Sequence, residues 1–203
     1  MRSRAALLDA ARTLFLAKGY AGTTMEEIAV LAGLAKRTVY NHFADKEALF
    51  TRIVQNVIAY AERFAGGLRE ELAVEITATT LRATLDELGR RLALAILRPE
   101  VVALRRLLIG EAREFPALAK EYFDRAPGRV LEALASGFER LCERRLLRVE
   151  DARRAAAQFA YLVAGEPLDR AILAGTIPSE EDIVAGALDG VETFLTRYGV
   201  ESG

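Results

Sequence analysis

Nowhere in these 203 residues do apolar and polar side chains alternate long enough to make a strand. Apolar residues recur instead at intervals of three and four, the period of an α-helix. Ala, Leu, Arg and Glu dominate the chain, and all four favour helix. A helix with one apolar stripe has to bury it against another element. The periodicity therefore predicts an all-α protein whose helices cover one another.

Turn and cap residues divide that pattern. A first helix is expected from Ser3, as N-cap, to Ala17, with Leu7, Leu8, Ala11, Leu14 and Phe15 facing inward and Lys18-Gly19 ending it. Thr24 opens a second helix, and Glu27 three residues later completes a capping box. Ile28, Ala29 and Ala32 face inward before Gly33 breaks the chain, and a short helix follows over residues 35–43. Asp45 caps a longer helix, expected from Lys46 to Phe64 and ended by Gly66-Gly67. Further helices are expected over 77–97, 100–114, 117–125, 127–147, 151–174 and 180–198, with Ser179 capping the last. Pro99, Pro116, Pro127 and Pro178 lie at boundaries. Pro167 falls inside a helical pattern, where a kink is expected. The organisation is a small domain over residues 1–45 and a larger helical one over 46–203, with residues 46–66 as connecting helix.

Composition narrows the class. Hydrophobic residues make up 52% of the chain, enough to fill a substantial core. The longest clean apolar run, Leu92 to Leu97, is far short of the roughly 20 residues that cross a bilayer. No charged-then-apolar signal segment opens the chain, so a cytoplasmic protein with no membrane partner is expected. The single Cys142 makes no intrachain disulfide and fits a small buried hydrophobe. No Ser/His/Asp, Cys/His, paired-carboxylate or metal-ligand spacing stands out, so neither catalysis nor a cofactor or metal is expected. The formal net charge of −1 hides an asymmetry, +2 in residues 1–50 and −3 in the remainder.

Three short helices in the first 45 residues, with a Gly-containing turn between the second and third, follow the plan of a helix-turn-helix. Its second helix enters the DNA major groove. With 100° per residue and Val39 at zero, Ala35 and Phe43 fall within about 40° and form a core stripe. Arg37 and Asn41 lie opposite, and these two side chains have bidentate geometry for guanine and adenine edges. Lys36 and His42 on the rim, with Tyr40, are better placed for phosphates. Lys36 and Arg37 open a helix whose N-terminal end is already partially positive. The anion that makes such an arrangement useful is a DNA backbone.

The segment "TTMEEIAVLAGLAKRTVYNHFADKEALF", extended back through "LLDAARTLFLAKGY", resembles the DNA-binding segment of the TetR family of bacterial transcriptional regulators. The resemblance implies that Arg37, Thr38 and Asn41 read bases and that Thr24, Tyr40, His42 and Lys46 touch phosphates. Ala35 departs from the family, which commonly has a Ser cap there, worth about 1 kcal/mol. The basic arm before the first helix is short, Arg2 and Arg4 only.

In the larger domain, "GEAREFPALAKEYFDRAPGRVLEAL" resembles the C-terminal domain of the AefR-like branch, over roughly residues 110–198. The apolar faces of its last two helices are broad, and helix-turn-helix modules usually bind as dimers. The resemblance implies a homodimer joined through these helices, with Leu162, Val184, Leu188, Val191 and Leu195 at the interface. It also implies an apolar cavity for an unidentified small molecule, and Phe115, Phe123, Phe138, Gln158, Phe159, Tyr161 and Leu162 are the lining residues expected. The function implied is a ligand-responsive repressor of double-stranded operator DNA. The alternative is a helical ligand-binding or protein-interaction module whose helix-turn-helix no longer reads sequence.

Overall fold

The computed structural model describes residues 2–200, apart from the side chain of Arg2. That side chain, half of the expected basic arm, lies outside the described residues. Among these residues ten helices form: α1 (Arg2–Lys18), α2 (Met25–Leu31), α3 (Lys36–His42), α4 (Lys46–Ala73), α5 (Leu81–Ile96), α6 (Pro99–Gly110), α7 (Pro116–Arg125), α8 (Pro127–Glu143), α9 (Ala152–Ala174) and α10 (Glu180–Tyr198). The all-α expectation holds. Among the described residues the extended pairing amounts to one isolated antiparallel bridge, Leu147 with Gly199.

Ser3 and Gly66-Gly67 do not mark the helix ends expected of them. Ser3 lies inside α1 rather than capping it, because the helix already starts at Arg2. Helix α4 runs straight through Gly66-Gly67 to Ala73. Two interior glycines cost about 1 kcal/mol each, whereas fully burying one leucine returns about 1.5–3 kcal/mol. Ala65, Leu68 and Leu72 flank the glycines and are essentially fully buried, so packing wins over propensity. Helix α9 spans Pro167 over the range expected and ends at Gly175, whose φ of +74° is the left-handed cap that glycine adopts without strain.

By packing, the chain divides differently from the expected 45/46 boundary. One compact unit combines residues 1–60 with 103–123, and the other combines 61–102 with 124–203. The smaller unit buries Leu7, Ala11 and Phe15 of α1, Ile28 of α2, Val39 of α3, and Leu49, Phe50, Val54 and Ile58 of α4. Residues 103–123 join it through aromatic contacts. Phe115 lies 4.8 Å edge-on from Tyr20 and 5.2 Å from Phe50, while Phe15 lies 5.7 Å from Phe50.

The larger unit has a continuous core drawn from α4, α5, α8, α9 and α10. At its centre Phe138, Phe159 and Phe194 form a closed triad with ring centroids 5.0–5.6 Å apart. Cys142 is half-buried against this core. Helices α9 and α10 approach so closely that a Cβ on Gly190 would lie 2.5 Å from the Leu162 carbonyl oxygen and 2.7 Å from its carbon. Backbone cannot yield as a flexible side chain does. Gly190→Ala is therefore expected to destabilise by about 1–3 kcal/mol, seen as a lower melting temperature. An unchanged melt would mean that the two helices are not in such close contact.

Candidate nucleic-acid interface

The turn between α2 and α3 is built from backbone hydrogen bonds. Ala32 N–H donates to Ile28, Gly33 N–H to Val30 and Leu34 N–H to Ala29, at 2.9–3.1 Å. Gly33, with φ +66°, supplies the left-handed residue that reverses the chain. At the start of α2 the Thr24 hydroxyl accepts from Glu27 N–H at 3.2 Å, and the Glu27 carboxylate accepts from Thr24 N–H at 2.9 Å. The expected capping box is present. Lys18 donates to the same carboxylate at 2.6 Å. The lysine bond, then the Thr24 backbone and hydroxyl bonds, hold the Glu27 carboxyl at about 2. A depressed carboxyl contributes its full stability above the unfolded pKa of 4.5 and loses it progressively as pH falls from there through about 2, so the cap is charged at neutral pH.

Helix α3 is anchored by Val39, 0% exposed, and Phe43, 5% exposed. Ala35, expected on this core stripe, is exposed instead. The helix begins only at Lys36, and Ala35 is an extended N-cap without a side-chain cap bond. Arg37, Tyr40, Asn41 and His42 are exposed and Thr38 is half-buried. The outward face is thus the one the helical period gives.

Two of the expected phosphate residues have partners within the protein. Lys36 forms an ion pair with Glu26 of α2 and sits 5.8 Å from the Tyr40 ring. Lys46 donates to the Tyr20 and Thr23 carbonyl oxygens, both at 2.8 Å, with its ammonium 4.3 Å from the Tyr20 ring. These bonds commit two of its three N–H groups to closing the α1–α2 turn. From the other side of that turn, Glu111 accepts from Tyr20 N–H at 3.3 Å. Arg4, expected in a short basic arm before the first helix, is part of α1 and lies 5.4 Å over the Phe43 ring at the end of α3. Sequence reasoning did not single out Glu26 or the Glu111 bond, because no spacing rule joins residues across a turn or 91 positions apart.

The residues expected around an effector cavity fall in both units. Phe115 belongs to the aromatic cluster of the smaller unit, and Phe123 is 57% exposed. Phe138 and Phe159 are closed inside the triad of the larger unit. Gln158 accepts a short hydrogen bond from the Tyr198 hydroxyl. Tyr161 and Leu162 are 75% and 40% exposed.

Among the expected interface residues, Leu188 is 39% exposed, and Val184 and Leu195 are half-buried. Val191 has to be reassigned. It is 0% exposed within the protomer and packs on Gly89 of α5, where an added Cβ would come within 2.6 Å of its Cγ2.

Among the described residues no helix is long and apolar enough to cross a membrane. Residues 7–53 match the family of bacterial regulatory proteins named tetR, and residues 83–200 match the C-terminal domain of AefR-like transcriptional repressors. A crystal structure of a TetR-family transcriptional regulator from Mesorhizobium loti MAFF303099 is 33% identical, with a TM-score of 0.83 over 98% of each chain. The Flavonoid-responsive Regulator FrrA is 30% identical, with a TM-score of 0.69 over 99% of each chain. The HTH-type transcriptional repressor KstR2 of Rhodococcus jostii is 34% identical over 103 residues, 48% of this chain and 50% of that protein. The chain thus spans about half the length, or less, of the curated relatives it matches first. Matched at its helix-turn-helix and again over more than half its length, the chain belongs to the TetR family of bacterial transcriptional regulators.

Proposed function

We propose that this chain is a ligand-responsive repressor that binds operator DNA in the cytoplasm as a homodimer and leaves it when a small apolar effector binds. The observation that carries the reading is α3. Val39 and Phe43 fix it to the smaller unit and leave Arg37 and Asn41 exposed on the opposite face. Arg37 and Asn41 read base edges, Thr38 assists them, and Thr24, Lys36, Tyr40 and His42 face phosphates. Lys46 reaches the backbone with its remaining N–H. Two copies of α3 meet adjacent major grooves about 34 Å apart.

The effector acts by favouring a conformation that no longer spans that distance. Moving a dimer from mostly bound to mostly released takes roughly 5 kcal/mol of differential affinity. Similarity to a regulator described as flavonoid-responsive supports a flat, largely apolar effector with a few polar groups.

One titration tests both halves, using a labelled duplex selected from fragments of the source genome. Arg37→Ala and Asn41→Ala are each expected to cost about 1–3 kcal/mol on that duplex and less on mixed-sequence DNA. Equal losses on both would remove them from base reading. Adding a panel of flavonoids should release the wild-type chain from the selected duplex. If no member of the panel does so, the proposed effector class is wrong, whatever the DNA result.

A further inference from the structure

We propose that Glu26 is a built-in competitor for the DNA backbone, occupying Lys36 in the free protein and thereby weakening binding to any duplex. This rests on the DNA-binding reading of α3. Lys36 is the first residue of that helix, where a cation is disfavoured by the partial positive charge of the helix end. Glu26, in the first turn of α2, supplies the missing anion from within the chain through its ion pair with Lys36.

Glu26 adds to the start of α2 as a first-turn acid bonded by its own backbone N–H, but the capping box is not its work. Its neighbour Glu27 carries the capping box and the bond to Lys18, so both reciprocal cap bonds remain when Glu26 is replaced. The pair is also open to solvent, with the Lys36 and Glu26 side chains 62% and 54% exposed, so a phosphate can reach the Lys36 ammonium. The hydrogen bond between them holds the Glu26 carboxyl below its ordinary range and raises the Lys36 ammonium. Both are therefore charged at neutral pH, and the pair is neutral as a unit.

That neutrality has a measurable consequence. A free Lys36 would neutralise a phosphate and release a counterion, which steepens the fall of affinity with salt. A Lys36 held by Glu26 contributes little to either. A phosphate that displaces Glu26 leaves a carboxylate beside it, and the same cost falls on operator and random DNA, because the backbone carries no sequence.

The experiment measures binding of the full-length chain to a mixed-sequence duplex over a salt series, for wild type, Glu26→Gln, Lys36→Met and the double variant. Glu26→Gln is expected to tighten binding about two- to fivefold per half-site. It should also steepen the log–log salt slope by about 0.9 per half-site. In the Lys36→Met background Glu26→Gln should change neither quantity. Melting temperatures check that all four chains are folded, which the exposure of both side chains favours. Unchanged or weaker binding by Glu26→Gln, with the wild-type slope, would overturn the proposal while leaving DNA binding intact. Equal tightening in the Lys36→Met background would overturn it too, since Glu26 would then act by general repulsion. A wild-type chain that binds no duplex at low salt would instead defeat the DNA-binding reading itself.

Discussion

Val191→Glu is expected to unfold the larger unit rather than merely separate the subunits of a dimer. Val191 is 0% exposed within one protomer, and its Cγ2 fills the space left by the absent side chain of Gly89. One turn further along α10, Phe194 closes the aromatic triad with Phe138 and Phe159. A carboxylate placed in this apolar core must protonate, or drag water in with it. Burying an unpaired acid while losing an apolar side chain costs on the order of 3–5 kcal/mol. A whole domain has only about 5–15 kcal/mol of stability to lose. Circular dichroism and thermal melting should show a chain with a collapsed or greatly lowered transition. If Val191→Glu melts like the wild type and is simply monomeric, then Val191 faces a partner and does not belong to the protomer core.

Val191 marks where the sequence stops being readable. Helix α10 carries two apolar stripes about 100° apart. Ile183, Ala187, Val191 and Phe194 turn inward, while Val184, Leu188 and Leu195 are at least partly open. Periodicity finds the breadth of such a surface but not which half meets the protein's own core. The short helices of the first 45 residues are legible because their signals are local. The Thr24–Glu27 box, Gly33 and the Val39/Phe43 stripe each act within a few residues. Helix α4 is longer than expected because the Gly66-Gly67 signal is local, while the burial of Leu68 and Leu72 that overrides it is tertiary. The interface on α3 is legible as a face, yet the state of its charges is not. Lys36 meets Glu26 across a turn, and Lys46 meets the carbonyls of Tyr20 and Thr23 more than twenty residues back. The expected cavity lining is harder to read for the same reason. Phe115 packs in the aromatic cluster of the smaller unit and Phe138 and Phe159 in the triad of the larger one, and composition does not separate a packed aromatic from a ligand's wall.

Leu188→Glu, on the other stripe of the same helix, should give the opposite result: a folded chain that no longer dimerises and scarcely binds its operator. Leu188 is 39% exposed in the protomer, so the carboxylate can remain in water and the chain should still melt cooperatively, losing only the stability that dimerisation adds. Tyr161 and Leu162 on α9 are exposed as well, and α9 and α10 touch backbone to backbone at Leu162 and Gly190. Together these side chains make an apolar surface spanning two helices, the kind of surface a two-fold partner covers with its own copy. In such an interface each substitution appears twice, so two carboxylates lose water without gaining a cation, at several kcal/mol. Sedimentation at micromolar concentration should move from dimer to monomer. Operator affinity should then fall by roughly 10²–10⁴, the effective-concentration advantage that linking two half-site readers supplies. The paired outcome is what discriminates. Val191→Glu loses the fold, whereas Leu188→Glu keeps the fold and loses the assembly. A Leu188→Glu chain that stays dimeric and binds its operator at wild-type affinity would move the subunit contact off the α9–α10 face.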